Sequence, residues 1–129
     1  MKSHHKAALA VAAGRTLLGM YALADPGRLS RSWLGPRAEG VTGAMFGRTL
    51  GARDLAIGGA GIWALVTRRH DRQLVAALAA AGAAADAADA AVTFAAWGQL
   101  PSPWKQVTVA AALGSAVTGG IVAGLVSAG

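Results

Sequence analysis

The sequence predicts an all-α fold, a polytopic bundle of four transmembrane helices with a short interfacial helix between the first and second spans. Three observations carry this. Hydrophobic residues make up 54% of the chain and charged residues only 14%, with a mean hydropathy of +0.45. The apolar residues come in long blocks rather than in alternation or along one narrow face. Four of these blocks reach the roughly 20 helical residues needed to cross a hydrocarbon layer ~30 Å thick. At 129 residues the chain is one domain, residues 1–129.

The first span is expected over residues 6–24. The start of the chain resembles a signal peptide, with Ala22-Leu23-Ala24 at the cleavage position. Arg15 interrupts the apolar run, however, and the run is long enough to span, so a retained first helix is expected. Asp25-Pro26 ends that helix. In the following DPGRLSRSWLGP, Leu29, Trp33 and Leu34 fall to one side and Arg28 and Arg31 to another, the pattern of a helix lying in the membrane interface.

The second, third and fourth spans are expected over residues 43–67, 73–98 and 105–128. The charged turn RRHDR and the proline-containing QLPSPWK separate them. Trp33, Trp63, Trp97 and Trp104 sit at segment ends or in the interfacial loop, where indole rings anchor at the headgroup layer. Gly47 and Gly51 form one small-xxx-small pair and Gly120 and Gly124 another, and both are read as contacts within the chain, with a homodimer as the other use.

Charge and composition narrow the function classes. The chain has no cysteine, which excludes disulfides, thiolate metal sites, iron–sulfur clusters and dithiol redox chemistry. The net charge of +6 is spread over the tail and connections, which favours anionic lipids over nucleic acid as a partner. Lys2, Lys6, Arg68, Arg69 and Arg72 stand against Arg28, Arg31, Arg37 and Lys105. By the positive-inside rule, five against four places both termini in the cytoplasm of a cell, or inner, membrane. Heavy Ala, Gly and Arg usage is associated with high-GC bacterial genomes.

The remaining charges are the candidate binding site. Arg15, Arg53, Asp54, Asp86 and Asp89 all lie near the midpoints of their segments, with Arg48 about a turn and a half from Arg53. Antiparallel neighbours bring midpoints to one depth, so a polar cluster inside the bundle is expected. Each such charge costs ~2.5–3.5 kcal/mol at a helix centre, so the second and third spans depend on partners that neutralise them. Asp86, Asp89 and Thr93 share one helix face. Arg53 and Asp54 are adjacent and diverge by about 100°, so each is expected to find a different neighbour. Three arginines against three aspartates make a neutral cluster. Its roles are a structural clasp fixing register or a site for a ligand, lipid headgroup or proton.

No histidine lies within a span, which removes the usual haem ligand. His4, His5 and His70 read as surface residues, and the Asp86/Asp89 pair carries too few carboxylates for a catalytic Mg²⁺ site. No cofactor or metal is expected.

The stretches GRTLLGMYALADPGRLSRSWLG, GRTLGARDLAIGGAGIWAL and AADAADAAVTFAAW, covering residues 14–97, resemble an uncharacterised family of small four-helix bacterial membrane proteins. More distantly they look like the DoxX-like group. That resemblance implies a four-helix membrane subunit, some relatives of which serve quinone-linked oxidoreductase complexes. The absence of cysteine and of a buried histidine keeps the redox chemistry of those relatives from carrying over. Three functions follow as expectations. The first is a non-enzymatic accessory subunit or binder of lipid or another small hydrophobic molecule. The second is a proton-coupled or small-solute carrier using Asp86 and Asp89, and the third is a subunit of a membrane oxidoreductase complex.

Overall fold

A computed structural model describes residues 2–68 and 70–129, so Arg69, counted above toward orientation, lies outside the described residues. The chain is helical throughout, with no strand among the described residues. The helices are α1 (Ser3–Ala24), α2 (Pro26–Leu34), α3 (Gly40–Thr67), α4 (Arg72–Ala95) and α5 (Trp104–Ala128). Short 3-10 turns cover Gly35–Ala38 and Trp97–Gln99. The expected spans are therefore all helical, but α3 starts three residues earlier and α4 ends three residues sooner than the apolar blocks suggest.

Local chemistry sets the boundaries. Asp25 caps α2, its carboxylate accepting from the Arg28 amide at 3.0 Å, and Pro26 occupies the first turn, where its missing N–H costs nothing. Asp71 caps α4 in the same way, through the Leu74 amide at 3.0 Å. The first four donors of each helix lack intrahelical partners, and these carboxylates satisfy one of them.

The helices run up and down. Lys2 at one end of the chain donates to the Gly129 carbonyl at the other, while Arg37 reaches the Gln99 carbonyl at the opposite end of the bundle. Packing divides the bundle into two intimate pairs, α1 on α3 and α4 on α5, with much sparser contact between them. Glycine makes the first pair possible. A Cβ at Gly58 would lie 2.7 Å from the Thr16 backbone nitrogen, and one at Gly51 would lie 3.0 Å from the Ala22 side chain. Gly47 admits the Pro26 backbone in the same manner, seating α2 on α3.

Gly120 and Gly124 behave otherwise. Nothing lies within 4 Å of a Cβ built at either position, so this pair faces outward and does not serve contact within the chain. Gly119, the residue just before this pair, is the one that meets α4, at Ala83.

The apolar core sits toward the terminal end. Ala8, Ala64, Leu65, Val75, Val122 and Val126 pack there. Large apolar side chains elsewhere point outward: Val41 is 76% exposed, Leu17 65% and Val117 61%, whereas Arg15, Asp54 and Asp86 are buried. So many exposed large apolar side chains around buried charges are unusual for a surface that faces water. Three helices, Ser3–Ala24, Arg72–Ala95 and Trp104–Ala128, are long and apolar enough to cross a membrane. Arg48, Arg53 and Asp54 in the middle of α3 keep that helix, the longest of all, outside this group.

Candidate functional site

Five of the charges come together where the two helix pairs meet. Arg15 on α1 is the pivot. Its guanidinium donates to Asp54 of α3 at 2.8 Å, to Asp86 of α4, and to the Gly82 carbonyl at 3.1 Å. Gly82 permits this approach because a Cβ there would lie 3.0 Å from the Arg15 Nε. Arg53 on α3 forks onto Asp89 of α4 with two N–H···O bonds of 2.8 Å, the bidentate geometry that suits guanidinium to carboxylate. The bridges Arg15–Asp86 and Arg53–Asp89 thus join α1 and α3 to α4 across the seam between the pairs.

Three features of the cluster depart from what spacing and charge count suggest. Arg53 also reaches its neighbour, with Nε 3.1 Å from Asp54 Oδ1. The long flexible stem lets the guanidinium curl back despite the divergence of the two Cβ directions. Arg48 is exposed and stays out of the cluster. Five residues before Arg53 on an α-helix is a rotation of about 140°, which turns it to the opposite side. Finally, two arginines face three aspartates, so the cluster carries a net charge of −1 when all are ionised, where neutrality was expected.

Thr93 is buried on the Asp86/Asp89 face, but it acts on a different partner. Its hydroxyl donates to the Asp89 carbonyl at 2.6 Å and accepts from the indole N–H of Trp33 at 3.1 Å. Trp33 also packs edge-on against Phe46, with centroids 5.4 Å apart. This tryptophan therefore reaches into the bundle, whereas Trp63 and Trp104 are half exposed. Ser115 of α5 is a member that sequence reading missed, donating to Asp86 at 2.6 Å. The midpoint rule that found the charges points to it as well, since Ser115 lies near the centre of the fourth span.

Above this charged floor opens a cavity of about 510 Å³, within the range of small-molecule sites, ~300–1,000 Å³. Leu18 of α1, Leu29 and Trp33 of α2, and Val107 and Ala111 of α5 form apolar walls. Arg15, Arg53, Asp54, Asp86 and Asp89 all contribute to its surface. On the far side of Arg15 a void of about 30 Å³ separates the cluster from the apolar core. Among the described residues, no group of three His, Cys, Asp or Glu side chains is arranged to hold a metal ion; the His4 and His5 rings lie 4.5 Å apart, tilted by 41°. No family model, no curated protein and no solved structure matches the chain.

Proposed function

We propose that this chain is a non-enzymatic, multi-pass protein of a cell membrane, with α1, α3, α4 and α5 as four spans, whose cavity binds a small hydrophobic molecule against the Arg/Asp floor. The observation that carries the reading is the cavity itself, apolar over most of its lining and charged where Arg15, Arg53, Asp54, Asp86 and Asp89 reach it, the composition of sites that hold a ligand by burial and orient it by a few polar groups. Including α3 as a span rests on pairing. Arg53 and Asp54 turn inward onto partners, which offsets most of the cost that excludes α3 on hydropathy alone. In this reading α2 lies at the level of the headgroups, with Arg28 and Arg31 toward anionic lipid and Leu29 and Trp33 toward the cavity.

Mass spectrometry of molecules extracted from protein purified in native-membrane nanodiscs tests the proposal. A stoichiometric small molecule is expected in the parent chain and not in Gly114→Phe, because Gly114 lines the cavity and a Cβ built there meets no atom within 4 Å, leaving the cavity as the space the ring enters. Equal recovery from both proteins contradicts it.

A second reading, a proton-coupled or small-solute carrier, draws on Asp86, which lines the cavity while bound to Arg15 and Ser115. It requires pH-dependent flux in proteoliposomes that Asp86→Asn abolishes; no flux ends it. The DoxX-like resemblance supports an accessory-subunit form of the first reading. The outward Gly120 and Gly124 face of α5 would then seat the partner or a second copy, and co-purification of a stoichiometric partner tests that form.

A further inference from the structure

The charged floor is one positive charge short, and the deficit falls at the cavity surface. Asp89 is closed on both oxygens by Arg53. Asp54 accepts only through Oδ1, from Arg15 and Arg53. Asp86 accepts only through Oδ2, from Arg15 and Ser115. The second oxygen of each, Oδ2 of Asp54 and Oδ1 of Asp86, has no donor among the described residues.

Both side chains are about nine-tenths buried, at 7% and 10% exposure, so bulk water does not screen them as it would a surface carboxylate. Nevertheless, these oxygens are not sealed. The only fully enclosed side-chain atom without a partner among the described residues is His4 Nε2, so the two carboxylate oxygens keep accessible surface, and both residues line the cavity. No third cation among the described residues reaches them. Arg48 is exposed on another face of α3, and Lys105, at the far end of α5, donates to the Trp97 carbonyl at 3.0 Å and covers the Trp97 ring.

We infer that the cavity selects a lipophilic monocation, an ammonium-type head on an apolar body. The head supplies the missing charge and donates to Asp54 Oδ2 and Asp86 Oδ1, and the body lies along Leu18, Leu29, Trp33 and Val107. An anionic head is disfavoured by the net charge of −1, and a neutral one leaves that charge uncompensated. This inference rests on the cavity-binding reading and specifies the charge of its ligand.

The test compares three probes of equal chain length, n-octylammonium, n-octanol and n-octanoate, binding to the full chain in phosphatidylcholine nanodiscs at neutral pH. Calorimetry against empty nanodiscs corrects for partition into lipid. The ammonium is expected to bind at least about tenfold more tightly than the alcohol, with octanoate weakest. Asp86→Asn, which makes the floor neutral, is expected to remove the preference for the ammonium over the alcohol, and an unchanged preference overturns the inference. Equal binding of octylammonium and octanol to the parent chain overturns the cation inference and leaves the cavity reading standing. Tightest binding of octanoate overturns the inference as well. Binding of none of the three overturns both it and the cavity reading. Because the three probes are compared on the unmutated chain, the outcome does not depend on whether Asp86→Asn folds.

Discussion

Replacing Arg15 with methionine isolates the contribution of the charged seam. Methionine retains most of the aliphatic stem, so the volume change is small and the loss falls on the guanidinium. That group makes three links, to Asp54 at 2.8 Å, to Asp86, and to the Gly82 carbonyl at 3.1 Å, and its side chain is 8% exposed. Without it the cluster holds one arginine against three aspartates, and Asp86 keeps only the Ser115 hydroxyl. Removing one partner from a buried ion pair costs ~3–5 kcal/mol, chiefly because the other charge is left behind. A loss of that size is expected for Arg15→Met, measured by SDS-induced unfolding in bicelles followed by far-UV circular dichroism. Arg53→Met is expected to cost less, about 1–3 kcal/mol, since its side chain is 28% exposed and solvent screens part of the pair. Combining Arg15→Met with Asp86→Asn is expected to recover ~1–3 kcal/mol relative to the sum of the single losses, the coupling typical of residues in one network. Stability within ~0.5 kcal/mol of the parent for Arg15→Met, or strict additivity in the double variant, refutes the clasp.

Arg48→Gln supplies the contrast to Arg53, and its exposed position predicts a change within ~0.5 kcal/mol by the same unfolding assay. Gly58→Val drives a branched side chain into Thr16 and is expected to cost at least ~1–3 kcal/mol. Gly120→Val, outward and free of contacts, is expected to leave the unfolding midpoint nearly unchanged. Trp33→Phe removes the donor to Thr93 and is expected to lower stability by ~0.5–1.5 kcal/mol. The cysteine-free chain also permits topology mapping with single thiols. Arg37→Cys and His70→Cys, at the two ends of α3, are expected to react with impermeant reagents from opposite sides of the membrane. Labelling from one side contradicts α3 as a span.

The long helices were legible because apolar block length and Asp or Pro punctuation are local properties. Asp25-Pro26 and the charged turn RRHDR fall where helices break, and Asp25 and Asp71 within them cap the helices that follow. The depth of the charges was legible too, since midpoints of antiparallel helices coincide in any up-and-down bundle. What spacing left open was which face of each helix turns inward. Arg48 and Arg53 lie about a turn and a half apart on one segment, and the rotation of about 140° between them follows from helix geometry, but which of the two enters the centre does not. The same gap hid the outward face at Gly120 and Gly124, where small residues look equally fit for packing until neighbours are placed. The inward contact of Trp33 was hidden for a related reason. A tryptophan near a helix end reads as an anchor unless the partner of its N–H, here Thr93 sixty residues away, is known.

The most direct measurement is an experimental structure of the chain in lipid nanodiscs, at a resolution that distinguishes bound small molecules from solvent. Arg15 is expected between Asp54 and Asp86, with Arg53 forked onto Asp89 and non-protein density in the cavity beside the two open carboxylate oxygens. A cavity closed by contact between α1 and α5, or Arg15 and Arg53 turned away from the aspartates, contradicts the charged centre as both clasp and site.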